Sequence, residues 1–235
     1  KISAVTATFL LLIVQFGQPA YADSKANIST EAKSGKCDYH QVGQKHLYWG
    51  DLHVHTAYSL DAYAFGTLKT PAQAYAFARG EAMTLQDGST AQLDRPLDFA
   101  AVTDHAEWFD LLHICTDPQN FDGPYCERLR KDSSMENGSS LFVDYVIPTI
   151  TQEAPQATPI CIADPAKCVK AKKSQWQRVQ DQANAANDPC NFTAQIGYEW
   201  SYTKSFSHSH RNIIFANDKV TQDAIDYIRH PTLSD

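Results

Sequence analysis

Two histidines one residue apart, His53 and His55 in Asp51-Leu52-His53-Val54-His55-Thr56, are the side chains of this sequence best suited to holding a metal ion. The aromatic and branched residues of His46-Leu47-Tyr48-Trp49 lead into them and predict a strand from His46 to His55. Alternate side chains of a strand share a face, so both rings aim at one point from backbones about 7 Å apart. Converging imidazoles of this kind suit zinc, manganese or iron. Three further strand ends offer ligand types. His105 closes Val102-Thr103-Asp104-His105, Glu199 follows Ile196-Gly197-Tyr198, and His210 opens the run Arg211 to Ala216. Functional groups of parallel α/β folds gather at such carboxyl ends. His208 shares the face of His210 if that strand begins early, as an outer neighbour of the site.

The elements that must position these side chains are legible from pattern. Thr70-Pro71-Ala72-Gln73 is a capping box with proline at the first helical position, predicting a helix that continues to Ala82 despite Gly80. Leu97 to Thr103 is a short apolar run that reads as a buried parallel strand. An insertion from about Glu107 to Asn191 follows, with helices expected over Leu141–Ile147, ending at Pro148, and over Ala171–Ala186 as a polar surface helix. Strands are expected over Ala194–Trp200 and Arg211–Ala216, and a helix over Thr221–Arg229. The order of strands and helices predicts an α/β layered or barrel fold.

The ends and the bulk composition bound where such a protein works. Residues 1–22 combine Lys1, the apolar run Ala7–Phe16 and Ala20-Tyr21-Ala22, the pattern of a secretory signal peptide. The run falls short of the roughly 20 apolar residues a membrane span needs, so no stable membrane anchor is expected after cleavage. Cleavage before Asp23 leaves 19 basic against 27 acidic side chains, which offers no basic surface for nucleic acid. Residues 23–45 read as a polar tail and 46–235 as the folded domain. Six cysteines in an exported chain favour disulfides. Local closure suggests Cys115–Cys126 and Cys161–Cys168, leaving Cys37 for Cys190. The expected location is periplasmic or secreted.

The phrases D-L-H-V-H-T, S-L-D, V-T-D-H, G-Y-E-W-S and H-R-N-I-I resemble the polymerase-and-histidinol-phosphatase (PHP) superfamily in order and spacing. Tyr48 to Thr56 and Val102 to Glu107 look closer still to one exported bacterial branch, the domain of unknown function 3604. The resemblance implies a PHP-type distorted (β/α)7 barrel with two or three divalent ions (Zn, Mn or Fe) at its carboxyl end, and hydrolysis of a small-molecule phosphoester. It implies that His53 and His55 hold one metal, that Glu199 bridges it to a second shared with His210, and that His105 with Asp61 serves a third. Asp61 stands where a histidine is frequent. Asp104 and Asp51 are expected to orient imidazoles, and Asp104 and Arg211 to complete the catalytic set. Arg211 and Lys204 would neutralise substrate phosphate. The superfamily's later ligands have no match after His210 except His230, so the barrel is expected to be incomplete at the C-terminus of this sequence. Two other functions stay open: an amidohydrolase-type hydrolase, which needs a carboxylated lysine, and a non-catalytic exported protein with a structural metal.

Overall fold

The description rests on a computed structural model and covers residues 45–117, 123–131, 135–150, 155–203, 207 and 209–232. Residues 1–44 lie outside it, and with them the expected signal peptide, the polar tail and Cys37. Lys204 and His208 lie outside it too.

Strands β1 (Gly50–Val54) and β4 (Phe99–Val102) run parallel, with Gly50 beside Phe99, Asp51 beside Ala100 and a register shift before Val54, which pairs with Val102. A Cβ on Gly50 would sit 2.3 Å from the Phe99 ring, so only glycine permits that approach. Between them come the short helix α1 (Leu60–Ala64), helix α2 (Pro71–Ala78) and a small hairpin of β2 (Met83–Thr84) and β3 (Thr90–Ala91). The capping box of α2 forms as expected: the Thr70 side chain accepts from Gln73 N, and Gln73 closes on the Thr70 backbone. The helix stops at Ala78, short of the expected Ala82, because Gly80 adopts a φ of 89° that ends the α-helical run.

Among its described residues the insertion is mostly helical. After a 3-10 turn at Ala106–Trp108 come α3 (Phe109–Thr116), α4 (Gly123–Arg130), α5 (Met135–Leu141), a π-turn at Phe142–Val146, α6 (Ile147–Ile150), α7 (Pro159–Ala163) and α8 (Pro165–Ala186). The helical path therefore runs through Pro148 rather than ending there. Helix α8 begins earlier than expected, capped by Asp164 with Pro165 in its first turn. It is not a surface helix: Ala171, Lys172, Gln175, Trp176, Val179 and Ala183 are buried along one face.

Strands β5 (Thr193–Gln195) and β6 (Gly197–Tyr202) continue one path interrupted at Ile196. β5 pairs parallel with β4, Ala101 opposite Gln195, and an isolated parallel bridge joins His105 to Glu199 in the same register. The interruption is spanned by one hydroxyl. Tyr75 Oη accepts from Val102 N at 3.1 Å and donates to Gln195 O at 2.9 Å. Strand β7 (Ser209–Ile214) pairs antiparallel with β6. Asn212 then reaches from β7 to the carbonyl oxygen of Leu52 on β1 at 2.9 Å. The result is a mixed α/β fold with a parallel sheet ordered β1-β4-β5 and two antiparallel pairs, β2–β3 and β6–β7; among the described residues the strands do not close into a barrel.

Two apolar clusters flank the sheet and the helices. One packs Tyr75, Phe109, Trp176, Tyr198 and Trp200 between α2, α8 and the strands. The other joins Leu60, Leu111, Leu129 and Leu141 with Cys115–Cys126 and Cys161–Cys168, the two expected disulfides. Cys190 is also disulfide-bonded. The helix expected over Thr221–Arg229 does not form. Its backbone groups take tertiary partners instead: Tyr227 N donates to Glu107 Oε1 and Thr221 O accepts from Trp176 Nε1. Among the described residues no helix is long and apolar enough to cross a membrane.

Because Tyr75 Oη serves two strands, Tyr75→Phe leaves a buried N–H and a carbonyl unpaired. The expected cost is about 2–3 kcal/mol in urea denaturation. A change below about 0.5 kcal/mol would contradict the bridging role.

Candidate metal centre

Four imidazoles and two carboxylates meet where the carboxyl ends of β1 and β4, the middle of β6, the start of β7 and the first turn of α1 come together. Glu199 lies at the bottom, its side chain fully buried. Its Oε2 stands 3.0 Å from His53 Nε2 and 2.7 Å from His55 Nε2, and its Oε1 stands 2.5 Å from His210 Nδ1. The pairing explains the last contact: Glu199 and Ser201 alternate on one face of β6, opposite Asn212 and His210 of β7. His53 lies within β1 and His55 one residue beyond Val54, with ring centroids 5.0 Å apart.

Asp61 comes from the first turn of α1, and its Oδ2 lies 3.0 Å from His55 Nδ1 and 3.6 Å from His105 Nε2. Ser59, which precedes that helix, does not cap it; its hydroxyl accepts from His105 N at 3.1 Å. The six residues form three overlapping groups of close donor atoms: His53, His55 and Glu199; His55, Asp61 and His105; His105, Glu199 and His210. Nitrogen and carboxylate donors in sets of three suit a divalent first-row ion, and the two oxygens of Glu199 address two histidine sets, as a bridging carboxylate would. Exposure rises from the buried floor of Glu199 to His53, whose side chain is 58% exposed, so the cluster opens to solvent on one side.

The carboxylates are held ionised against burial. Burial works to raise Glu199, but hydrogen bonds to His210 and His55 hold it well below the usual carboxylate range. Burial likewise opposes ionisation of Asp61, and contacts with His105 and His55 outweigh it. For His55 burial pulls the pKa down, yet Asp61 and Glu199 raise it to about 10. His105 is also raised, with Asp61 and Glu107 outweighing its burial.

His53, His55, Asp61, His105, Glu199 and His210 come together. Asp104 does not orient an imidazole. It is buried and accepts from Thr56 N at 2.5 Å and Thr56 Oγ1 at 2.7 Å, clamping the loop after β1 to the end of β4. Burial lifts its pKa to about 6 against those hydrogen bonds. Asp51 accepts from the backbone of His53, not from a ring. Arg211 is next to His210 in β7 and so faces the other way, with its guanidinium over the Trp200 ring at 5.8 Å. His230 donates its backbone N–H to Asp226 O and joins none of the three groups. Ser59, Ser201 and Glu107 touch the histidines without having been singled out. The polar residue inside the apolar run after His105 was the available signal for Glu107.

With this geometry in hand, comparison places the chain. A family model described as "Protein of unknown function (DUF3604)" matches residues 42–232. The chain belongs to that family. No curated protein and no solved structure matched it.

Two outcomes are expected. The raised pKa of His55 contributes stability to the metal-free fold that is fully present below its ordinary value of 6.5 and lost as pH rises through about 10. Metal binding needs the neutral ring, so zinc affinity should keep climbing with pH past 6.5 toward about 10, with proton release read as a buffer-dependent enthalpy in calorimetry. A flat affinity would contradict that. Arg211→Ala should leave zinc affinity unchanged and lower stability by about 0.5–1 kcal/mol, the scale of an exposed cation–π contact; a large affinity loss would show that Arg211 turns toward the centre.

Proposed function

We propose that this protein is an exported hydrolase of the PHP type, whose centre holds two or three divalent ions (zinc, manganese or iron) and cleaves a small-molecule phosphoester. The observation that carries the reading is Glu199: one fully buried carboxylate whose two oxygens serve separate histidine sets. The motifs that resemble PHP proteins are the same residues that converge in space, which is what a shared active site requires. On this reading the parallel sheet is part of a distorted (β/α)7 barrel.

Ions held by such a set supply Lewis-acid chemistry, polarising a phosphoryl oxygen and making water acidic enough to attack near neutral pH. The chain's own residues do the rest. Glu199 keeps a fixed negative charge at the floor, and Asp61 keeps a second beside His55 and His105. The Thr56–Asp104 clamp holds the segment between His55 and α1, which fixes where Asp61 can reach. His53 and His210 lie at the exposed rim, where a substrate would approach. A structural metal is closed by four protein ligands, whereas this cluster opens on the His53 side. The two disulfides fit an oxidising compartment, in accord with a periplasmic or secreted location.

The test is turnover of phosphomonoesters and phosphodiesters by the full-length protein that carries this sequence, loaded with zinc, manganese or iron. His53→Ala/His55→Ala is expected to lose about a thousandfold in rate, equivalent to about 4 kcal/mol in barrier. Absence of hydrolysis across the panel by metal-loaded protein would overturn the phosphoester reading.

A further inference from the structure

We propose that Glu107 is the positioning residue for His105, acting with Ser201 to hold the proton on Nδ1 and present Nε2 to a divalent ion beside Asp61. The inference rests on the metal-centre reading and deepens it.

Glu107 sits in the 3-10 turn that follows His105 directly, and its side chain is fully buried. Its two oxygens are used differently. Oε1 accepts from Ser201 N at 2.9 Å and from Tyr227 N at 3.1 Å, which fixes the carboxylate between β6 and the segment after β7. Oε2 has no hydrogen-bond partner and lies 3.7 Å from His105 Nδ1. A buried carboxylate oxygen without a donor is costly, and the ring nitrogen is placed to serve it. Ser201 Oγ stands 2.6 Å from the same Nδ1. It belongs to β6, two residues after Glu199, and so projects from the face that carries the centre. Both polar groups address Nδ1, which stands farther, at 4.0 Å, from Glu199 Oε1, whereas Nε2 faces Asp61 Oδ2 at 3.6 Å. A ligating imidazole that donates its other N–H to an oxygen has its tautomer and ring orientation set by that partner.

A competing role for Glu107 is that of counter-ion to Lys172, whose ammonium is buried against Asp226 and feels the Glu107 charge. That role is purely structural and makes no demand on which nitrogen of His105 binds metal. The two roles therefore separate by experiment.

Glu107→Gln is the informative substitution. Its amide oxygen can still accept from Ser201 N and Tyr227 N, which turns the NH2 toward Nδ1 and meets a donor with a donor. The protein is loaded with cadmium-113 as a spectroscopic probe and its histidines labelled with nitrogen-15. In the wild type the expected result is a one-bond cadmium–nitrogen coupling at His105 Nε2, with the proton on Nδ1. In Glu107→Gln that coupling should be lost or weakened, with cadmium affinity at this subsite lower by about 10- to 100-fold. Coupling through Nδ1, or none at His105 while cadmium is bound at the other histidines, would overturn the proposal and leave the metal centre standing. So would a folded Glu107→Gln protein with unchanged coupling and affinity. Failure of the wild type to bind cadmium at all would overturn the metal centre itself. The wild-type spectrum decides the nitrogen even if the variant does not fold.

Discussion

An ionised carboxylate removed from water costs several kcal/mol unless its oxygens are met by well-placed partners. Glu199 is in that position, and its partners come from sequence positions as far away as His53. Residues 53, 55 and 210 can reach one carboxylate only if β1 and the β6–β7 pair are held together around it. The parallel bridge between His105 and Glu199, the Tyr75 hydroxyl that joins Val102 to Gln195, and the Asn212 contact to Leu52 hold those elements together. In that sense the fold of residues 50–214 is organised around one buried charge.

The same charge organises the histidines electrostatically. Four imidazoles whose neighbouring rings are 4.7 to 5.4 Å apart would repel if all were protonated. The two carboxylates compensate that repulsion, as the raised His55 and the depressed Glu199 and Asp61 record. A divalent ion would replace protons in this arrangement with a charge of the same sign at the same place, so the metal-free geometry is already close to a ligand geometry. The helical insertion contributes differently. It supplies the buried Glu107 and Lys172 and is tied together by two disulfides within an apolar cluster that it shares with α1.

Much of the centre was legible because it depends on short-range rules. Alternation in a strand groups His53 with His55, and the end of the apolar run before it supplies His105, whereas Glu199 lies within β6 rather than at its end. The same alternation places Arg211 opposite His210, so its exclusion from the centre was also written in the sequence. Other features depended on contacts distant in the chain. Nothing local to Thr221–Arg229 announces that Tyr227 N will bond to Glu107 rather than to its own helix. Nothing within Ala171–Ala186 shows that Lys172 will be buried against Asp226. The end of α2 at Ala78 instead followed a local rule, since Gly80 could be read as a stop.

The most direct test is anomalous diffraction from crystals of the protein soaked in zinc, measured at the zinc absorption edge. The predicted result is a peak within about 2.0–2.2 Å of His53 Nε2, His55 Nε2 and a Glu199 oxygen, with a second on the other oxygen of Glu199 near His210. Crystals that show zinc only at surface positions remote from Glu199, or no anomalous density at all, would contradict the account.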